Sequence, residues 1–157
     1  MTAQPYFSSA ERIGKLMTIA ASWLDTPYVQ SGAVKGCGVS CHRLAAAVLS
    51  EAGVAMDDVP ERGDTGRRQF AQAMRGWLES RPARFAPVGP DEPLCPGDIL
   101  LCDFGIGHIA LYLGGEQRAV LQVLLRGATH LASLLDPQLQ GRVRAAWRPL
   151  EGGCDGQ

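Results

Sequence analysis

Apolar residues recur at helical spacing through the first half of the chain and gather into short unbroken runs in the second. Ile13, Leu16, Met17, Ala20 and Leu24 form one stripe, which predicts a helix over 9–24 with Ser9 as its cap and Glu11 near its start. Thr26-Pro27 ends it, and a glycine-rich loop follows over 31–39. A second helix is expected over 41–52, where Leu44, Ala45, Val48, Leu49 and Ala52 share a face and Gly53 supplies the stop. A third, over 65–79, puts Phe70, Ala73, Met74, Trp77 and Leu78 on one side, with Asp64 as its cap.

Residues 80–97 are rich in Pro and Gly and are expected to be irregular. The period then changes. Residues 98–103, 108–113 and 119–124 read as neighbouring antiparallel strands, with Gly114-Gly115 opening the turn between the last two. Residues 129–136 are expected to make a short helical or irregular crossing before a final strand over 142–148. Helices first and a small sheet afterwards imply an α+β fold in one domain, residues 1–150, with 151–157 as a loose tail.

Composition narrows the function. The chain has 157 residues, 46% hydrophobic and 20% charged, enough for one domain with a real core. Fifteen Lys and Arg against sixteen Asp and Glu leave a formal charge of -1, which does not fit a nucleic-acid partner. The basic clusters Arg67-Arg68 and Arg142/Arg144/Arg148 are expected to be solvated faces. No window approaches a membrane span, and the start lacks the basic-then-apolar pattern of a signal peptide. The protein is therefore expected to be cytoplasmic as made, a placement compatible with delivery by a phage or phage-like particle. Five cysteines, an odd number in an apparently intracellular chain, argue against a disulfide framework. Cys37 and Cys41 make a lone C-x3-C, a poor zinc motif.

The chemistry concentrates where the glycine-rich loop meets the second helix. A thiol at a helix start faces unpaired N–H groups that favour a thiolate and can also hold an oxyanion. Cys41 is in that position, although inert core packing is the competing reading. Among three histidines, His42 is turned about 100° from Cys41 around the helix and is expected at the surface or rim. His108, which opens a strand after Phe104-Gly105-Ile106-Gly107, is the better base. Gln122 is the polar residue inside the apolar run 119–125. Buried, it needs partners: His108 if the strands pair, backbone or water otherwise. His130 has no evident role and is expected to be structural or exposed.

These pieces in this order resemble the NlpC/P60 family of papain-like cysteine peptidases, and within it the branch of phage tails and gene-transfer-agent-like particles. The resemblance runs from about residue 12 to 149. It rests on Trp23-Leu24-Asp25-Thr26-Pro27-Tyr28, Ser40-Cys41-His42-Arg43-Leu44, Pro96-Gly97-Asp98 and His108-Ile109-Ala110-Leu111-Tyr112-Leu113-Gly114. Gln30 to Gly36 is similar to the longer loop of the tail-associated branch.

The resemblance implies a papain-like fold and cleavage of an amide bond in peptidoglycan stem peptides. Cys41 would be the nucleophile, His108 the base and Gln122 the group orienting it. Tyr28 would help the oxyanion or position substrate. No metal or organic cofactor is required. Partners would be a peptide or peptidoglycan fragment and the proteins of a phage tail-like assembly. Pro96-Gly97-Asp98 would be a structural turn with Asp98 capping local backbone.

Four positions depart from the family pattern: Ser40 replaces an Asp, His42-Arg43 replaces Ser-Gly, and Asp25 replaces a Gly. Loss of the carboxylate at 40 removes the expected partner for a substrate ammonium group. The alternatives are a catalytically weak or inactive structural module of a tail-like assembly, and an amidase or acyltransferase on another substrate.

Overall fold

The computed structural model describes residues 3–60 and 67–152, with the side chains of Arg67 and Arg68 left out of the description. Helix α1 (Ala10–Ser22) starts at Ser9, whose hydroxyl accepts from the Arg12 N–H at 3.2 Å. A short hairpin, β1 (Ala33–Val34) and β2 (Gly38–Val39), lies inside the glycine-rich loop, and α2 (Cys41–Glu51) follows directly. Helix α3 (Arg67–Glu79) buries Phe70, Met74, Trp77 and Leu78. Ala73 is exposed, off that stripe. The expected cap Asp64 lies outside the described residues.

The remaining elements are β3 (Phe85–Pro87), β4 (Ile99–Asp103), β5 (Gly107–Gly114), β6 (Ala119–Gln122), β7 (His130–Ser133), the single turn α4 (Pro137–Gln140) and β8 (Val143–Pro149). Six strands form one antiparallel sheet in the order β3-β8-β4-β5-β6-β7. Ile99, Leu101, Ile109, Leu111 and Leu121 belong to the core shared with the three long helices. Leu100, Cys102, Ala110, Tyr112 and Val120 belong to a second core on the other face, closed by Leu134 and Leu139. Central strands buried on both faces have no polar side to show, which is why they read as unbroken apolar runs. The architecture is α+β, with N-terminal helices on a small antiparallel sheet.

Several expectations change. Residues 130–133 are an edge strand rather than a helical crossing, paired with β6 in the register Gln122↔His130 and Leu121↔Leu131. Their pattern hid this: Leu131 is an apolar residue half exposed on the outer edge, so burial does not alternate. Within 80–97, Phe85–Pro87 is a strand because β8 offers it a partner. Strand β6 ends at Gln122; Leu124 and Leu125 extend into an exposed turn. Met17 is exposed, so the buried line of α1 is Leu16 and Ala20, continued by Trp23. Arg148 is not a solvated face. Its side chain is mostly buried against Asp98. The expected tail begins with Glu151, which pairs with Arg12 at 3.1 Å and donates its N–H to Gln4 at 2.7 Å; residues 153–157 lie outside the described residues.

The turn Pro96-Gly97-Asp98 sets where β4 begins. Gly97 has φ +93, and a Cβ there would collide with the Phe7 ring, so only glycine fits. Among the described residues no helix is long and apolar enough to cross a membrane.

Candidate active site

The start of α2 has no side-chain cap. Ser40 holds the N-cap position in extended backbone, yet its side chain makes no capping bond. Its hydroxyl instead lies 3.3 Å from His42 Nδ1. The first-turn N–H groups of α2 are therefore not occupied by the cap side chain, and Cys41 is the first helical residue beside them. The Cys41 thiol is half-buried and free of any disulfide.

Cys41 lines a narrow cleft of about 60 Å³ together with Tyr28, Ser40, His42, Phe70, Gly107 and His108. The first residue of α2 and the first two of β5 thus meet at one opening. Tyr28 is held there by its backbone, which donates to Gly127 O at 2.8 Å and bridges to Val39. His42, expected at the surface, is instead buried at 2% exposure, its ring 4.6 Å from that of Phe70. The apolar ring of α3 covers it, and this packing was invisible until α3 was placed over α2.

His108 is buried, with its Nε2 3.0 Å from Gln122 Oε1 and its ring edge-on to Phe104 at 5.2 Å. The glutamine is also buried, so the bond satisfies a polar group that would otherwise be costly. An amide oxygen only accepts, so Nε2 carries the hydrogen and Nδ1 carries the lone pair. Burial lowers the proton affinity of His108; the Gln122 bond opposes this and the charge of His130 adds to it. The balance favours the neutral ring.

One contributor escaped the sequence reading. Gln122 Nε2 lies 3.3 Å from His130 Nε2, and His130 Nδ1 lies 2.9 Å from Ala128 O. Two imidazoles are thereby joined through one amide. The only signal was the register of an edge strand that the local sequence did not reveal.

Cys102 is a contrast within the same region. Burial, reinforced by the charge of Cys41 and only partly offset by Arg144, pushes its thiol up to about 12, so it stays protonated. Asp98 accepts from the Cys95 N–H at 2.8 Å, as a local backbone cap would, and also from Arg148. Asp25 adopts φ +69, the left-handed region that favours glycine, while its N–H donates to Thr129 O at 2.9 Å. Among the described residues no group of three or more His, Cys, Asp or Glu is placed to hold a metal ion.

No family model matches the chain, and no curated protein matches it in sequence. Solved structures do match in fold. One is a Staphylococcus aureus protein of the NLP/P60 family, described as similar to lipoprotein, at 19% identity and a TM-score of 0.64 over 97% of this chain. The match takes up 46% of that protein, so the chain spans less than half its length. Another is the NlpC/p60 domain of the peptidoglycan hydrolase SagA, at 14% identity and a TM-score of 0.52, covering 85% of this chain and 96% of that one. Helices first, a small antiparallel sheet behind them and these likenesses together show that the chain has the NlpC/P60-like fold.

Proposed function

We propose that the protein is a cysteine hydrolase that cleaves an amide bond, with peptidoglycan stem peptides as its substrate class. One observation carries the reading: a thiol at a helix start without a side-chain cap shares a cleft with an imidazole whose far nitrogen is held by Gln122. In this reading His108 Nδ1 takes the Cys41 proton, and the thiolate attacks the carbonyl carbon. The oxyanion is met by the Cys41 N–H, with Tyr28 at the rim. The imidazolium then protonates the amide nitrogen, the C–N bond breaks and the amine leaves behind a thioester. Water, deprotonated by His108, attacks the thioester carbonyl, releasing a carboxylic acid and restoring the thiol.

Gln122 orients the ring without offering a carboxylate's charge. The substrate class is supported by the peptidoglycan hydrolase among the similar structures. The placement in a phage tail-like particle rests on the loop from Gln30 to Gly36 alone. Ser40 lines the cleft where the family pattern has an Asp, so that position offers a substrate ammonium group no carboxylate. On that ground a neutral or carboxylate-bearing segment is the proposed preference.

The test is the pH dependence of Cys41 alkylation by iodoacetamide, mapped by mass spectrometry, in wild type and His108→Ala. Reaction below the ordinary thiol pKa of about 8.5, abolished in His108→Ala, is the expected result, and turnover of stem peptides should follow. A Cys41 that titrates as a free thiol regardless of His108 overturns the reading in favour of a structural module.

A further inference from the structure

The geometry points to His130 as a positioning residue that sets which way the Gln122 amide faces and, through it, which nitrogen of His108 carries the hydrogen. The consequence for catalysis rests on His108 being the base; the tautomer itself does not.

The bonds run from the outer strand inward. Ala128 O can only accept, so the ring nitrogen 2.9 Å away, His130 Nδ1, must be the N–H. In a neutral ring the other nitrogen, Nε2, is then a lone pair needing a donor. The neighbour at 3.3 Å is the Gln122 amide, which can supply one only through its NH2. That orientation turns the amide oxygen toward His108 at 3.0 Å, where it must meet an N–H. His108 Nε2 is therefore protonated and Nδ1 is left with its lone pair.

A glutamine amide has two faces of similar shape, and nothing in its own chemistry prefers one. With the amide turned over, its NH2 would face His108 Nε2, and the hydrogen would move to Nδ1, where no proton could be taken from Cys41. His130 removes that ambiguity. Its own orientation is anchored by backbone: Thr129 beside it is buried, donates its N–H and hydroxyl to Thr26 O at 2.7 and 2.9 Å, and accepts from Asp25 N–H at 2.9 Å. The loop after α1 thus holds the start of β7, and β7 holds the amide.

The test is long-range ¹H–¹⁵N correlation of the histidine side chains in uniformly labelled full-length protein, above the titration range of imidazole. Only three histidines need assignment. Wild type should show His130 as the Nδ1–H tautomer and His108 as the Nε2–H tautomer. In His130→Phe, His108 should become a mixture of tautomers, and Cys41 alkylation should slow about two- to tenfold, the worth of one hydrogen bond. In a Gln122→Leu background the same substitution should change alkylation no further. An Nε2–H tautomer at His130 in wild type overturns the proposal without any variant. So does a His108 that stays wholly Nε2–H in His130→Phe, or an effect that persists without Gln122. Tautomers as described with a Cys41 that alkylates as a free thiol would sink the hydrolase reading and leave this one standing.

Discussion

Two buried polar clusters sit in the same sheet and are built on opposite principles. At the start of β4, Asp98 is wholly buried and its carboxylate accepts three hydrogen bonds. Arg148 donates from Nε at 3.0 Å and from Nη2 at 2.9 Å, and Cys95 N–H donates at 2.8 Å. At the start of β5, His108 and His130 are joined through one uncharged amide, that of Gln122, and the chain ends on a His108 nitrogen that makes no hydrogen bond among the described residues. The first cluster ties its carboxylate to the fold through three bonds. The second leaves His108 Nδ1 without a bond among the described residues, in the cleft that Cys41 also lines. The first arrangement suits a structural device and the second a chemical one.

Substitutions should separate the two. The largest effect expected is on activity: Cys41→Ala or His108→Ala should lower amide hydrolysis by about 10³-fold or more, read as kcat/KM on stem peptides. Circular dichroism should meanwhile show folded protein.

Arg148→Ala should do the reverse. It strands a buried carboxylate and should cost about 3–5 kcal/mol in urea unfolding, while the pH profile of Cys41 alkylation under native conditions stays unchanged. Burial already pushes the Asp98 carboxyl up, against the Arg148 fork and the Cys95 N–H. Removing the fork lets it rise further, so the folded variant takes up a proton that the unfolded chain does not. The stability deficit should therefore shrink as pH falls; a deficit unchanged with pH would mean the stranded charge is not its cause.

Gln122→Leu should slow Cys41 alkylation about tenfold, leaving a buried ring with no partner to hold it. The pH dependence of stability tests the same ring. Because the folded His108 resists protonation, the unfolded chain binds its proton first. Stability should then fall as pH drops below the ordinary imidazole value of about 6.5, and that part of the fall should vanish in His108→Phe. Urea midpoints on either side of that pH give the answer. The smallest effect is at Asp25, whose φ of +69 strains a residue with a Cβ. Asp25→Gly should stabilise by up to about 1 kcal/mol, with the Thr129 backbone bond kept.

Much of this was legible along the chain because it depends on local spacing. The stripe of α2, the cap at Ser9, the Pro96-Gly97-Asp98 turn and a cysteine opening a helix after a glycine-rich loop need only a few adjacent residues to be recognised. Strand β7 was not legible, since four residues with an exposed Leu131 carry no period and acquire their state from β6 alone. Nor was the burial of His42, which depends on Phe70 arriving from another helix, or the burial of Arg148, whose partner lies far away in sequence.

The sequence by itself determined the three long helices, the central strands, the α+β class and which thiol and imidazole are candidates for chemistry, because hydrophobic period and turn residues act over short range. Only the tertiary structure decided that Gln122 faces His108, that His130 stands behind it and that Cys41 opens on the same cleft. Those facts depend on helix-to-sheet packing and on strand register, where a shift of one residue would turn His108, Gln122 or His130 to the other face of the sheet.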